Sequence, residues 1–196
     1  MTPGVLIPRP ETEVLVAECL KRVGDGSPVI ADVGTGTGAV AIALAINLPR
    51  AGVHATEISD AALEVARANI ENHQLSDRVT LLKGDLVEPL TGLGLSFDVV
   101  VSNPPYVRTR DISSLQPEVR LYEPLEALDG GEDGLDAYRR LFPAAFRILR
   151  ERGFAAVEVG RGQAEEVKRI ASAAGFGHTE TANDLAGIER VVIACK

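Results

Sequence analysis

Cysteine and histidine are both scarce in this sequence. The two cysteines, Cys19 and Cys195, lie far apart and show no Cys-x-x-Cys spacing, so neither a disulfide framework nor a zinc cage is indicated. We expect two reduced, buried thiols. The three histidines stand singly rather than in a cluster of metal ligands, which predicts packing or surface roles for them. No metal site is expected.

Long apolar runs are also lacking. The longest, such as residues 39–48, fall well short of the ~20 residues that a membrane-spanning helix needs, and no signal-peptide pattern opens the chain. No contact with a membrane is predicted. The expected location is the reducing environment of the cytoplasm.

Basic residues are outnumbered by acidic ones. The chain has 20 lysines and arginines against 28 aspartates and glutamates, for a net charge of -8. That sign disfavours a protein that holds nucleic acid mainly by neutralising phosphates, although an acidic protein can carry a local basic patch. The 196 residues, 45% of them apolar, suffice for one well-buried core, which predicts a single domain over residues 1–196.

Apolar strands alternate with helices along the chain. Strands are predicted at residues 29–33, 53–57, 79–83 and 97–101, and helices at residues 11–23, 39–47 and 60–71. Pro10 is expected in the first turn of the opening helix, where its missing N–H costs nothing. A long irregular segment at residues 106–134, just after the fourth strand, is predicted to form a substrate lid.

The remainder of the chain continues the alternation. A helix at residues 135–149, bent at Pro143, precedes a strand at 154–158, a helix at 163–174 and strands at 177–181 and 190–194. A turn containing Asn183, Asp184 and Gly187 joins the last two strands as an antiparallel hairpin. The fold class is therefore α/β: a doubly wound, seven-stranded, mostly parallel, Rossmann-like sheet. Ligands bind such sheets beyond the carboxyl ends of the strands, where the strand order switches.

A glycine-rich turn, Gly34-Thr35-Gly36-Thr37-Gly38, follows Asp32 and Val33 at the end of the first strand. Its glycines allow positive φ angles and close approach of a ligand to the backbone. Glu57, at the end of the second strand, is placed to bind two ribose hydroxyls through both carboxylate oxygens. A nicotinamide dinucleotide and S-adenosylmethionine both satisfy this pattern. Asp85, ending the third strand, either binds an adenine amino group or serves as a turn or helix cap.

The tetrapeptide Asn103-Pro104-Pro105-Tyr106 directly follows the fourth strand. A planar amide or aryl NH2 is a poor nucleophile because its lone pair is delocalised. If the Asn103 side-chain oxygen and the Pro104 carbonyl each accept one N–H, the nitrogen is held with its lone pair directed at a methyl donor. The prolines restrict the backbone, and Tyr106 offers a ring on which a planar group stacks. The alternative is that Asn-Pro and Pro-Pro merely end the strand.

These motifs resemble those of the class I amino-methyltransferases, and more closely those of the HemK-like protein-(glutamine-N5) methyltransferases. The resemblance also includes residues 7–13 (Ile-Pro-Arg-Pro-Glu-Thr-Glu), residues 122–128 (Tyr-Glu-Pro-Leu-Glu-Ala-Leu) and residues 189–191 (Glu-Arg-Val). It covers nearly the whole chain. Glu57 departs from the family, which more often has Asp there; the longer side chain keeps two acceptor oxygens.

The resemblance implies methylation of the glutamine amide in a Gly-Gly-Gln loop of a peptide chain release factor, with S-adenosylmethionine as cofactor. It also implies that the helical amino-terminal domain of the family is absent, because the chain begins almost at Pro-Arg-Pro. Acceptor contacts are expected from Asn103, Pro104, Pro105 and Tyr106. The expected cofactor contacts are Asp32, Gly34, Thr35, Gly36, Gly38, Glu57, Ile58, Asp85, Leu86 and Asn103. Two alternatives stay open: methylation of amino groups in RNA or DNA, and an NAD-dependent oxidoreductase.

Overall fold

A computed structural model describes residues 5–24 and 26–196. Its strands are β1 (Val29–Val33), β2 (Gly52–Glu57), β3 (Val79–Lys83), β4 (Phe97–Ser102), β5 (Leu149–Glu158), β6 (His178–Asn183) and β7 (Glu189–Cys195). They form one seven-stranded sheet in the order β3-β2-β1-β4-β5-β7-β6. Strands β1 to β5 pair in parallel, and β7 is antiparallel to both β5 and β6. The predicted α/β sheet with an antiparallel C-terminal hairpin is confirmed.

Helices cover both faces of the sheet. They are α1 (Thr12–Arg22), α2 (Ala39–Asn47), α3 (Asp60–Asn72), α4 (Glu88–Thr91), α5 (Pro117–Tyr122), α6 (Asp136–Ile148) and α7 (Ala164–Ala173). One core cluster lies under α1, α2 and α3, and the other under α4, α6 and α7. Because both faces are covered, the central strands β1 and β4 are buried almost throughout and consist of apolar runs rather than alternating residues. None of the helices in the described part of the chain has the length and apolar character needed to cross a membrane.

The junction of α6 and β5 differs from the prediction. The helix ends at Ile148, and β5 begins at Leu149 rather than at residue 154. Phe97 lies opposite Leu149 and Val99 opposite Phe154, so residues 150–153 of β5 stand against the single residue Asp98 of β4 and interrupt the ladder. These residues are charged and end in a glycine, a composition that is typical of a turn, so the sequence indicated no strand there.

The prediction of an irregular segment at residues 106–134, which we call the lid segment, is wrong in part. It contains two 3-10 helices, Thr109–Ser114 and Leu125–Ala127, with α5 between them. A parallel bridge joins Val107 to Asp129 near its two ends. Each helix is too short for the hydrophobic periodicity that identifies a helix in a sequence.

Smaller differences concern single residues and helix ends. Pro10 lies before α1, in a turn where Glu13 N donates to Pro10 O at 3.0 Å, rather than in the first turn of the helix. The short helix α4 was not predicted. Cys19 is buried, but Cys195 is partly exposed, so only one thiol has the expected burial. Pro143 lies within α6, as predicted.

Candidate active site

The carboxyl ends of β1 and β4 meet at the point where the strand order switches. Val33 pairs with Ser102 in the parallel ladder, and Ser102 Oγ donates to the Val33 carbonyl at 2.7 Å. The chain leaves β1 into the glycine turn and leaves β4 into the tetrapeptide, so the two motifs begin side by side. We call the space beyond these strand ends the switch-point crevice.

Gly34 and Gly36 leave open space above the backbone of the glycine turn. Both have positive φ angles, +69° and +57°, and a Cβ added at either position would meet no atom within 4 Å. The turn is fixed from below, because Gly34 N and Thr35 N both donate to the Thr56 carbonyl at 2.9 Å. A ligand can therefore approach this backbone closely. Gly38 is different: a Cβ there would be in ordinary contact with Ala66 of α3 at 3.5 Å, so its φ of +82° rather than a lack of space favours glycine.

Asp32 lies beneath the glycine turn and is 1% exposed. One carboxylate oxygen, Oδ2, accepts from Thr35 Oγ1 at 2.6 Å and from Ala41 N at 3.0 Å. Burial raises the pKa of Asp32 to about 6, against the lowering effect of those two hydrogen bonds. Asp32 thus ties the turn to the first residues of α2. Its direct contact with a cofactor stays a prediction.

Glu57 is bound by backbone N–H groups on two sides. Its Oε2 accepts from Gly36 N at 2.9 Å, and its Oε1 accepts from Ile58 N at 2.8 Å and from Ser59 N at 2.9 Å. A carboxylate offers about four acceptor sites, so room for a further donor remains, mainly on Oε2. The predicted contact of both oxygens with a ribose stays a prediction. Ile58 is 60% exposed beside it and offers an apolar surface at the edge of the crevice.

Asp85 has a partner that the sequence did not indicate. Its carboxylate forms an ion pair with Arg140 of α6. Its backbone carbonyl accepts from Glu88 N at 3.0 Å and so makes the turn into α4. The next residue, Leu86, has a φ of +48° and packs partly buried against the core. Both side chains lie beyond the end of β3; their contact with an adenine remains a prediction.

The tetrapeptide presents two free acceptors. Asn103 Nδ2 donates to Thr12 Oγ1 at 3.3 Å, which leaves Asn103 Oδ1 at the other side of the amide. Among the residues that the structure describes, no N–H or O–H group donates to Asn103 Oδ1 or to the Pro104 carbonyl oxygen. These are the two oxygens that the sequence analysis assigned to the acceptor nitrogen.

Tyr106 is held from three directions. Its Oη donates to Glu158 Oε1 at 3.3 Å, and its carbonyl accepts from Gln163 Nε2 at 3.0 Å. A Cβ on Gly160 would lie 3.0 Å from the Tyr106 ring, so the ring packs closely over that glycine. Burial, followed by the charge of Glu158, raises the pKa of Tyr106 well above its ordinary value, so the phenol stays protonated. Whether its other face stacks on a substrate stays a prediction.

Sequence reasoning missed the side chains behind the tetrapeptide. Glu158 is 2% exposed and accepts from Thr12 Oγ1 at 2.7 Å. Arg9 Nη2 lies 2.5 Å from Glu123 Oε1, an ion pair that joins the segment before α1 to the lid segment. A usable signal was present for Glu158, because it directly follows the apolar residues 154–157 at the end of a predicted strand, and Glu57 also ends a predicted strand. For Arg9, Thr12 and Glu123, the resemblance to the family is the signal that the sequence offers.

Comparison with known proteins identifies the family. The sequence profile described as "Methyltransferase small domain" matches residues 10–118. A release factor glutamine methyltransferase from Geobacter sulfurreducens is 50% identical over 192 residues, covering 98% of this chain and 66% of that protein. The protein of the same description from Moorella thermoacetica is 50% identical over 196 residues, covering 99% of this chain and 68% of that protein. This chain belongs to the release factor glutamine methyltransferase family.

The chain spans about two thirds of the length of those relatives. Its fold is shared more widely. A methyltransferase from Pyrococcus furiosus superposes with a TM-score of 0.73 at 23% identity, covering 100% of this chain and 87% of that one. The catalytic domain of human METTL16, solved with an RNA hairpin, gives 0.75 at 16% identity, with coverage of 97% and 72%. At such identities these likenesses concern the fold alone.

The cofactor of this methyltransferase family is S-adenosylmethionine, and the crevice fits it. Open space above Gly34 and Gly36 admits a ligand, and Glu57 keeps acceptor capacity for a hydroxyl. The nicotinamide alternative is not supported, because both the family profile and the curated relatives are methyltransferases.

Proposed function

We propose that this chain transfers a methyl group from S-adenosylmethionine to the side-chain amide nitrogen of the glutamine in a Gly-Gly-Gln loop of a peptide chain release factor. The observation that carries the proposal is the pair of free acceptors, Asn103 Oδ1 and the Pro104 carbonyl oxygen, directly beside the glycine turn. Family membership supports the choice of a glutamine amide over other planar amines.

The residues proposed to hold the cofactor lie on the β1 and β2 side of the crevice. Gly34 and Gly36 leave open space beside their backbone, Glu57 offers Oε2 to a hydroxyl, and Ile58 offers an apolar surface. When bound, S-adenosylmethionine supplies an electrophilic methyl group attached to a positively charged sulfur.

The residues proposed to hold the glutamine lie on the β4 and β5 side. Each free acceptor takes one N–H of the amide, which fixes the plane of the group and leaves the nitrogen lone pair perpendicular to it. The Tyr106 ring limits how that plane can tilt, because its hydroxyl donates to Glu158 and the Tyr106 carbonyl accepts from Gln163. A strong general base is not required, because the nitrogen becomes acidic only as the methyl group arrives, and weak acceptors then suffice to hold the leaving proton.

Alignment must contribute more than the hydrogen bonds themselves. Two neutral hydrogen bonds contribute about 1 kcal/mol each. Correct positioning of reacting groups contributes up to about 7–11 kcal/mol in well-oriented cases. We therefore expect a change at Asn103 to affect kcat through geometry, well beyond the loss of one hydrogen bond.

The test is transfer of a labelled methyl group to a purified release factor. Asn103→Ala should lower kcat by about 10²- to 10³-fold, as when a pre-aligned polar partner is removed from an active site. Asn47→Ala is the matched control, because Asn47 is exposed at the end of α2 and its side chain donates to the Ala43 carbonyl of its own helix. A release factor with Gln→Ala in its Gly-Gly-Gln loop should take up no label. Labelling of that altered protein, or of RNA instead of the protein, contradicts the proposal.

The proposed substrate also bears on the location and on nucleic acid. Because release factors act on cytoplasmic ribosomes, we propose that the reaction takes place in the cytoplasm. The net charge of -8 does not favour RNA or DNA as the direct methyl acceptor.

A further inference from the structure

A chain of hydrogen bonds connects Asn103 to a buried carboxylate. Asn103 Nδ2 donates to Thr12 Oγ1 at 3.3 Å, and Thr12 Oγ1 donates to Glu158 Oε2 at 2.7 Å. The other oxygen, Glu158 Oε1, accepts from Tyr106 Oη at 3.3 Å. Thr12 and Glu158 are 8% and 2% exposed, so water has little access to replace these bonds. Three separate parts of the chain therefore meet behind the tetrapeptide.

The backbone keeps these parts in place. Ser102 pairs with Val157, so the next residues along the two parallel strands, Asn103 and Glu158, lie side by side at the carboxyl ends of β4 and β5. The Glu158 carbonyl accepts from Tyr138 Oη at 2.8 Å, which ties the end of β5 to α6. Thr12 is the first residue of α1, and its N–H donates to the Arg9 carbonyl at 3.0 Å.

The direction of this chain follows from donor and acceptor capacity. An ionised carboxylate only accepts, whereas a hydroxyl has one hydrogen to donate and two lone pairs. Because Glu158 takes the Thr12 hydrogen, Thr12 can offer Asn103 only a lone pair. The amide must then turn its NH2 toward Thr12. A reversed amide would bring Oδ1 against an oxygen that has no hydrogen left to give.

We propose that Thr12 and Glu158 are positioning residues that fix which end of the Asn103 amide faces the crevice, so that Oδ1 is presented to the acceptor nitrogen. This inference rests on the proposed function, since it assigns Asn103 Oδ1 to the glutamine amide. Without the two residues, the amide can rotate and present NH2, a donor, to a substrate group that is itself a donor. The reaction would then lose alignment while the cofactor side of the crevice stays unchanged.

Protonation of Glu158 provides a second way to reverse the direction of the hydrogen bonds between Asn103, Thr12 and Glu158. A protonated Glu158 can donate to Thr12, whose hydrogen then becomes available to Asn103 Oδ1. The titratable and charged groups that face Glu158 are Tyr106, Tyr138, Glu11 and Arg190. Burial, as the largest effect, raises the pKa of Glu158, so its protonation begins at a higher pH than for an exposed glutamate.

The principal experiment compares threonine variants of the whole chain. Thr12→Val keeps the shape but removes the hydroxyl, and it should lower kcat on the order of tenfold to a hundredfold. Calorimetric affinity for S-adenosylmethionine should stay within about twofold of the wild type, because the cofactor side is not touched. Thr12→Ser restores the hydroxyl and should recover most of kcat. Thr181→Val is the matched control: it removes a threonine bond to Glu189 at 3.1 Å in the β6–β7 hairpin and should leave kcat unchanged.

A measurement on the free protein separates this inference from the proposed function. The side-chain NH2 resonances of Asn103 should shift as Glu158 titrates, and Glu158→Gln should abolish that shift. This shift tests whether Glu158 orients the Asn103 amide even if the chain methylates no release factor, and also if Thr12→Val does not fold. Wild-type kcat in Thr12→Val, or Asn103 resonances that ignore both Glu158→Gln and acid pH, overturns the proposal.

Discussion

Replacing Gly34 by alanine should have two effects, strain in the backbone and loss of space for the cofactor, and a control variant can separate them. Gly34 has a φ of +69°, and its added Cβ would point into space with no protein atom within 4 Å. An L-residue in this conformation costs roughly 1–2 kcal/mol. For a chain of this size that corresponds to a fall in Tm of about 2–8 °C. If the cofactor occupies that space, the alanine side chain must also displace part of the cofactor.

The cost to binding can be estimated from overpacking. Inserting a methyl group into a filled contact costs about 1–3 kcal/mol, so the Kd for S-adenosylmethionine should rise from about 5-fold to more than 100-fold. Gly94→Ala is a close control. Gly94 has a φ of +66° and equally open surroundings, but it precedes β4 and so lies near the amino end of that strand, whereas the crevice lies beyond the carboxyl ends.

Two assays distinguish these effects. Thermal unfolding should show similar losses of stability for Gly34→Ala and Gly94→Ala, because their backbone strain is nearly equal. Calorimetric titration with S-adenosylmethionine should show weaker binding for Gly34→Ala only. Equal affinities in the two variants would refute the placement of the cofactor over Gly34.

Two further predictions concern buried carboxylates. Burial raises the pKa of Asp32 to about 6, above about 3.9 in the unfolded chain. Its contribution to the free energy of unfolding is therefore fully present below about pH 4, and about 3 kcal/mol is lost as the pH rises through about 6. Relative to the wild type, Asp32→Asn should gain stability in urea unfolding between about pH 4.5 and pH 7.5, and a constant difference in stability between the two proteins would contradict this. Glu123 is buried, with Oε1 held by Arg9 and with no partner for Oε2 among the described residues. Arg9→Ala should lower the free energy of unfolding by about 3 kcal/mol and increase amide hydrogen exchange in the lid segment. The double variant Arg9→Ala, Glu123→Gln should restore part of the protection against exchange. Unchanged exchange in Arg9→Ala would show that the ion pair does not hold the lid segment in place.

The parts of the site that depend on backbone conformation could be predicted from the sequence. The turn at Gly34 and Gly36 needs positive φ angles, which glycine adopts without strain, so its composition reveals its shape. The strand before Asn103 is a buried apolar run that ends at two prolines, and its length and end are visible in the sequence. Glu57 could also be placed at a strand end, because it is the last residue of the predicted strand at residues 53–57.

The partners of these residues could not be predicted, because they depend on contacts between distant parts of the chain. Thr12 and Glu158 are 146 positions apart, and Arg9 and Glu123 are 114 apart. No local pattern indicates which side chain will face which after folding. Asp85 shows the same limit: its position after β3 suggested a turn or a ligand contact, but its ion pair is with Arg140, 55 positions away.

Glu57 and Glu158 illustrate what decides between similar residues. Each is a nearly buried glutamate at the carboxyl end of a strand, so their local sequence positions are similar. The lateral order β2-β1-β4-β5 puts them on opposite sides of the switch-point crevice. Glu57 therefore accepts from the Gly36 N–H of the glycine turn, whereas Glu158 accepts from the hydroxyls of Thr12 and Tyr106. Local sequence indicates where strands end but not which strands become neighbours, so the roles proposed for Glu57 beside the cofactor and for Glu158 behind the acceptor site follow only from the topology.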